Sequence, residues 1–139
     1  MQKLPRIILT EAVDKKLKTI STQNGYYCNF DEVFADVDIP TEYGKNGLYW
    51  SDGKARGKFG SNQKTELSIE VNGVLVGTAD RSASVWGTLA LADLERAFKS
   101  LGVKNIVSVS FDSDKWIETK GRTVARIYFA ARVHYHNAN

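Results

Sequence analysis

The apolar positions along this chain follow two different rhythms. From Leu4 to Ile20 they recur at steps of three to five: Leu4, Ile7, Ile8, Val13, Leu17 and Ile20. Glu11, Asp14, Lys15, Lys16 and Lys18 are left largely on the outside, the pattern of an amphipathic helix. Pro5 suits the first turn, where a missing N–H costs little, and Asn24-Gly25 is a stop and turn signal, so the spacing predicts a helix over 4–20. A second helix is predicted over 81–101, on the stripe Trp86, Ala90, Leu94, Ala97, Phe98 and Leu101, with Leu91 beside it. Asp93, Glu95, Arg96 and Lys99 face out or flank it. Ser82 or Ser84 suits its N-cap, and Gly102 its C-terminal end.

The second rhythm has a period of two. In the segment 123–136, Ala125, Ile127, Phe129, Ala131, Val133 and Tyr135 alternate with Val124, Arg126, Tyr128, Ala130, Arg132, His134 and His136. One side of that strand belongs on a core and the other on water or a partner. Leu67, Ile69 and Val71 alternate with Glu66, Ser68 and Glu70 in a β-rich run from Thr65 to Thr78. Within it, Asn72-Gly73 reads either as a hairpin turn or as a glycine bulge in one long strand. Tyr26–Phe34 and Ile106–Phe111 read as shorter strands, and 112–122 as a charged connection carrying Trp116 and Ile117.

The segment 35–62 fits neither rhythm. It contains Pro40, five glycines (Gly44, Gly47, Gly53, Gly57 and Gly60) and the aromatic residues Tyr43, Tyr49, Trp50 and Phe59, and it reads as a long loop. Its aromatics either dock on a partner or pin the loop to its own core. The expected architecture is one α+β domain over 1–139. Two helices pack on one face of a mainly antiparallel β-sheet, in the order α-β-(long loop)-β-α-β-β.

Composition narrows the functional classes. With 42% hydrophobic and 25% charged residues, the chain of 139 residues reads as an ordinary globular domain. The lone cysteine, Cys28, excludes an internal disulfide framework. No run approaches the roughly 20 apolar residues of a membrane span, and the N-terminal residues lack a secretory-signal pattern. A net charge of +3 permits contact with nucleic acid without arguing for it.

Chemical motifs are sparse. The run Gly53-Lys54-Ala55-Arg56-Gly57-Lys58-Phe59-Gly60 has three residues between its first glycines and Phe59 after Lys58, which departs from the nucleotide phosphate loop. It remains a basic loop able to touch phosphates through Lys54, Arg56 and Lys58. His134 and His136 share a strand face but lack the further ligands of a zinc site. Asp31, Glu32, Asp36, Asp38 and Glu42 lack calcium-loop spacing, and no serine lies in a glycine-flanked elbow. The expectation is a binding or structural protein, with no catalytic residues, metal or cofactor.

The whole-chain layout resembles the tail terminator (tail completion) proteins of long-tailed bacteriophages. The helix Ile7–Ile20 runs into Asn24-Gly25-Tyr26, like that group's helix and "NGY" entry, and Val33-Phe34 stands as its hydrophobic pair before a variable loop. Leu67-Ser68-Ile69-Glu70-Val71 resembles its central strand. Leu91-Ala92-Asp93-Leu94-Glu95-Arg96-Ala97-Phe98 resembles its second-helix signature, and Arg126–Tyr135 its final strand. The loop 43–62 departs from the pattern in being longer, more aromatic and more basic.

The resemblance implies a structural virion protein. It would form a homo-oligomeric ring, typically a hexamer, on the finished tail tube, stop polymerisation and present a surface to the head-side connector or neck proteins. Genomic DNA would pass through the lumen. Its place would be the tail–neck junction, after assembly in the host cytoplasm, with no membrane. The candidate subunit or tube contacts are Tyr49, Trp50, Lys54, Arg56, Lys58, Trp116, Arg126, Arg132 and His134. Two alternatives stand beside this reading. One is another neck or head–tail joining protein. The other is a small α+β nucleic-acid-binding domain using Lys54, Arg56, Lys58, Arg126 and Arg132.

Overall fold

A computed structural model describes residues 5–37, 45–57, 64–104, 106–117 and 123–136. Helix α1 (Pro5–Lys18) leads through a short 3-10 turn (Thr22–Asn24) to β1 (Glu32–Ala35). Then come β2 (Gly47–Gly57), β3 (Lys64–Val76), α2 (Ala83–Lys99), β4 (Ile106–Ile117) and β5 (Val124–His136). The strands form one sheet in the order β1-β2-β3-β5-β4. β1 runs parallel to β2, and the other neighbouring pairs are antiparallel.

The class is α+β, but the expected arrangement is corrected. The sheet is mixed and five-stranded, and a full strand, β2, lies where the sequence reads as loop 35–62. Leu48, Tyr49 and Trp50 pair with Gly73, Asn72 and Val71 of β3, and the register shifts between Asp52 and Ala55. Glycines and charges hide the alternation, yet the aromatic start of the strand has a complete pairing partner.

The charged connection 112–122 is corrected over 112–117, because β4 continues to Ile117, and 118–122 lie outside the described residues. Its charges reflect an edge strand with one solvated face, a common protection against unwanted pairing. The strand predicted over Tyr26–Phe34 shrinks to Glu32–Ala35. The preceding backbone bonds elsewhere: the carboxylate of Asp93 accepts the N–H groups of Tyr27 (3.0 Å) and Cys28 (2.9 Å).

Asn72-Gly73 forms neither a hairpin nor a bulge. β3 passes straight through it, with Gly73 opposite Leu48 on one side and Ile127 on the other. A Cβ at Gly73 would lie 2.6 Å from the Ile127 side chain, so the glycine is required by close packing across three strands.

Both helices share one core with one face of the sheet. Leu9, Val13 and Leu17 of α1 and Ala90, Leu94, Ala97 and Phe98 of α2 join Leu67, Ile69, Ile127, Phe129, Ala131 and Val133 of the strands. Phe129 sits between Phe98 and Phe111, at ring-centre distances of 5.4 and 5.3 Å. Ser82 caps α2 by accepting from the N–H of Val85.

The turn at Gly25-Tyr26 and the middle of α2 touch each other. Arg96 donates to the carbonyl of Gly25, and its guanidinium lies 4.6 Å from the centre of the Tyr26 ring. Gly25 holds a φ of 84°, which ends the 3-10 turn and suits glycine. With the two bonds accepted by Asp93, this clamp fixes the chain between α1 and β1 onto α2. Gly25–Cys28 and Asp93–Arg96 are thus two halves of one structural contact.

Candidate interaction face

Both helices pack on one side of the sheet, and among the described residues no helix covers the other, the free side. Register and the alternation of side chains place Trp116, Asp114, Asp112, Ser110 and Ser108 of β4 on the free side. Opposite them on β5 stand Arg126, Tyr128, Ala130, Arg132 and His134, and next on β3 come Val74, Asn72, Glu70, Ser68 and Glu66. The three β5 residues singled out from the sequence, Arg126, Arg132 and His134, therefore share this face with Trp116. Trp116 is paired across the strands with Arg126 and is 41% exposed.

Cross-strand pairs tie the face together. Arg132 donates to Asp112 at 2.6 Å, His134 Nε2 lies 3.3 Å from Glu66, and the Tyr128 hydroxyl donates to Glu70 at 3.1 Å. Burial, then the acceptor and charge of Glu70, push the Tyr128 hydroxyl above its ordinary pKa. The partners Glu66, Glu70 and Asp112 were not evident from sequence, because cross-strand neighbours depend on register. The described side chains of β3, β4 and β5 on this face include four carboxylates against two guanidiniums, a mixed surface and not a basic stripe.

Tyr49 and Trp50 lie inside the molecule and not on its surface. Trp50 is buried in the main core, and its indole N–H donates to Asp14 of α1 at 3.2 Å. Tyr49 is buried against Val74 and Val124 at one end of the free face. Its hydroxyl donates to Glu32 at 2.8 Å, and burial together with that carboxylate raises its pKa to about 12. Both pin β2 to its own molecule. The backbones of Lys54 and Arg56 lie in β2, with Arg56 opposite Glu66, but their side chains fall outside what the structure describes. Lys58 lies outside the described residues altogether.

Other candidate chemistry has structural roles. Cys28 is buried, and burial plus the neighbouring Asp93 carboxylate lift its thiol pKa to about 12. Lys115 reaches the start of α2, donating to Ser84 Oγ at 3.0 Å and Thr88 Oγ1 at 2.9 Å. Among the described residues no group of three or more His, Cys, Asp or Glu is placed to hold a metal, and no helix is long and apolar enough to cross a membrane. Comparison with protein-family models and with curated proteins finds no match for this chain.

Proposed function

We propose that this protein is a structural component of a phage virion, a terminator that assembles as a ring, with six subunits as the leading size, on the end of a tail tube. In that role it stops tube polymerisation and offers a surface to the neck proteins, and the genome passes through its lumen. The observation that carries the reading is the free face of the sheet. It is a broad surface held by cross-strand pairs, uncovered by either helix, with an exposed tryptophan near one end. Such a surface suits contact with protein. The clamp between Gly25-Tyr26 and Asp93/Arg96 adds support, since it gives a common physical purpose to two segments on which the resemblance rests.

The nucleic-acid reading fits this face less well. Carboxylates at Glu66, Glu70, Asp112 and Asp114 would oppose a phosphate backbone.

Light scattering after gel filtration, across protein and salt concentrations, tests the proposal. A discrete species near six times 15.5 kDa, with a pore in negative-stain images, is the expected result. A single chain at every concentration that also fails to bind purified tail tubes would overturn it. Strongly salt-dependent binding to DNA or RNA would favour the nucleic-acid alternative.

A further inference from the structure

We infer that Asn24 is a site of spontaneous covalent modification. Its carboxamide is converted by water, through ring closure with the Gly25 amide, to aspartate and isoaspartate, and the change loosens the clamp that holds Gly25–Cys28 on α2. The inference is independent of the ring reading.

The chain carries three Asn-Gly pairs, Asn24-Gly25, Asn46-Gly47 and Asn72-Gly73. Asparagine before glycine suits this chemistry, because no Cβ crowds the approach of the following amide nitrogen to the side chain. The Gly25 nitrogen gives up its proton to base and bonds to Cγ of Asn24, closing a succinimide ring. The Cγ–Nδ2 bond breaks, and the leaving nitrogen takes up a proton and departs as ammonia. Water then splits one of the two C–N bonds of the ring. Cleavage at Cγ leaves aspartate, and cleavage at the main-chain carbonyl carbon leaves isoaspartate. Water enters, ammonia leaves, and nothing is oxidised or reduced.

Structure separates the three pairs. Asn72-Gly73 lies within β3, laddered to β2 on one side and β5 on the other, and Gly73 is enclosed by Ile127 and Leu48. Its nitrogen cannot swing onto the Asn72 side chain without parting strands. Asn46 is held at both ends of its carboxamide: Oδ1 accepts from the N–H of Val76 at 2.8 Å, and Nδ2 donates to the carbonyl of Asn29 at 3.2 Å. The following Gly47 is buried and paired with Glu32 and Val74. Asn24-Gly25, by contrast, is exposed and closes the 3-10 turn. The bonds to be released there are short-range: the Gly25 N–H donates to the Thr22 carbonyl at 3.2 Å, and Asn24 Nδ2 to the Thr19 carbonyl at 2.7 Å. Opening them is a local event at the surface, whereas freeing either other pair disturbs the sheet.

Both residues of the pair hold neighbouring structure. Asn24 gives a donor to the Thr19 carbonyl, just past the end of α1. Aspartate offers none and sets a negative charge at a helix C-terminus, where it is disfavoured. Isoaspartate adds a main-chain atom immediately before Gly25, whose carbonyl accepts from Arg96 and whose φ of 84° ends the turn. Each product thereby loosens the seat of Arg96 on Gly25 and Tyr26.

Peptide mapping of the full chain, held in mildly alkaline buffer, tests the inference. Trypsin places the three pairs in separate peptides, 19–45, 46–54 and 65–81, and fragmentation distinguishes Asn24 from Asn29 in the first. In the folded chain Asn24 should convert more than about tenfold faster than Asn46 and Asn72. In urea the three should convert at similar rates, since each precedes glycine. Amide hydrogen exchange at Gly25–Cys28 should quicken in aged wild type but not in aged Asn24→Gln, with β3 and β5 unchanged in both. Equal rates at the three pairs of the folded chain, or faster conversion at Asn46 or Asn72, would overturn the site. So would a folded chain whose Asn24 stays intact under conditions where the urea-unfolded chain reacts. Conversion at Asn24 with unaltered exchange at Gly25–Cys28 would overturn the loosening of the clamp.

Discussion

The two faces of the sheet are built from alternate residues of the same strands, yet they do different work. On the covered face Phe129, Ile127 and Val133 are buried between strands and helices. On the free face Arg132, Tyr128 and His134, one residue away in each case, make polar pairs in reach of water. Free energy of folding concentrates on the first face, because apolar burial contributes most of it and exposed ion pairs contribute little. The exposed residues of the free face can consequently change at little cost to the fold, and they are available for contact.

The largest expected break in this comparison is at Phe129. Its ring fills the space between Phe98 and Phe111, and Phe129→Ala leaves a cavity there. The loss should be about 4 kcal/mol, read as a lower urea midpoint with little change in slope. A loss below about 1 kcal/mol would mean that the helix layer does not depend on this stack.

Next comes Asp93, a buried carboxylate at 1% exposure that is polar yet belongs to the stable side of the molecule. Asp93→Ala leaves the N–H groups of Tyr27 and Cys28 without their acceptor and should cost about 3 kcal/mol. Asp93→Asn keeps one acceptor oxygen and should cost less. Amide hydrogen exchange at Tyr27 and Cys28 should quicken in Asp93→Ala ahead of the sheet, which separates loss of the clamp from general loosening.

The sequence disclosed the two faces most clearly where a strand is long and its alternation clean. β5 is the example, and it placed Arg126, Arg132 and His134 together correctly. It disclosed them poorly where a strand carries its polar residues for another reason. β4 is charged because it is a sheet edge, so its second half read as a connection. β2 begins with Leu48-Tyr49-Trp50 and then meets glycine, lysine and arginine, so its pairing with β3 was hidden and its aromatics looked available to a partner. The buried roles of Tyr49 and Trp50 follow from Glu32 and Asp14, partners 17 and 36 residues away, which no local pattern reveals. Asp93 looked like an outward or flanking helix residue, because a buried carboxylate cannot be recognised until the backbone it caps is known.

Alkaline pH should weaken the fold through both regions in turn. The Cys28 thiol has its pKa raised from 9.0 to about 12, and the Tyr49 phenol from 10.0 to about 12. Between those limits the folded chain keeps protons that the unfolded chain releases. Unfolding free energy should therefore fall as pH rises, from about 9 through Cys28 and from about 10 with Tyr49 added. Each group contributes a slope of up to about 1.4 kcal/mol per pH unit. Urea unfolding of wild type and Cys28→Ala from pH 8 to 11 checks the order, and the variant should stay flat until about pH 10. An equal decline in both proteins between pH 9 and 10 would remove Cys28 from the account.

The smallest effect belongs to the free face, and its smallness is the point. Arg132 and Asp112 approach to 2.6 Å, the shortest ion pair among those described, but their side chains are 45% and 64% exposed. An exposed pair gives back in side-chain entropy and solvent screening much of what it gains by attraction. Arg132→Ala should thus cost less than about 1 kcal/mol, and its deficit should shrink further at high salt. If stability is untouched while assembly changes, the pair serves to fix the shape and charge of a contact surface. A loss as large as that of Asp93→Ala would instead join the free face to the structural half of the molecule, and erase the distinction between the two sides of the sheet.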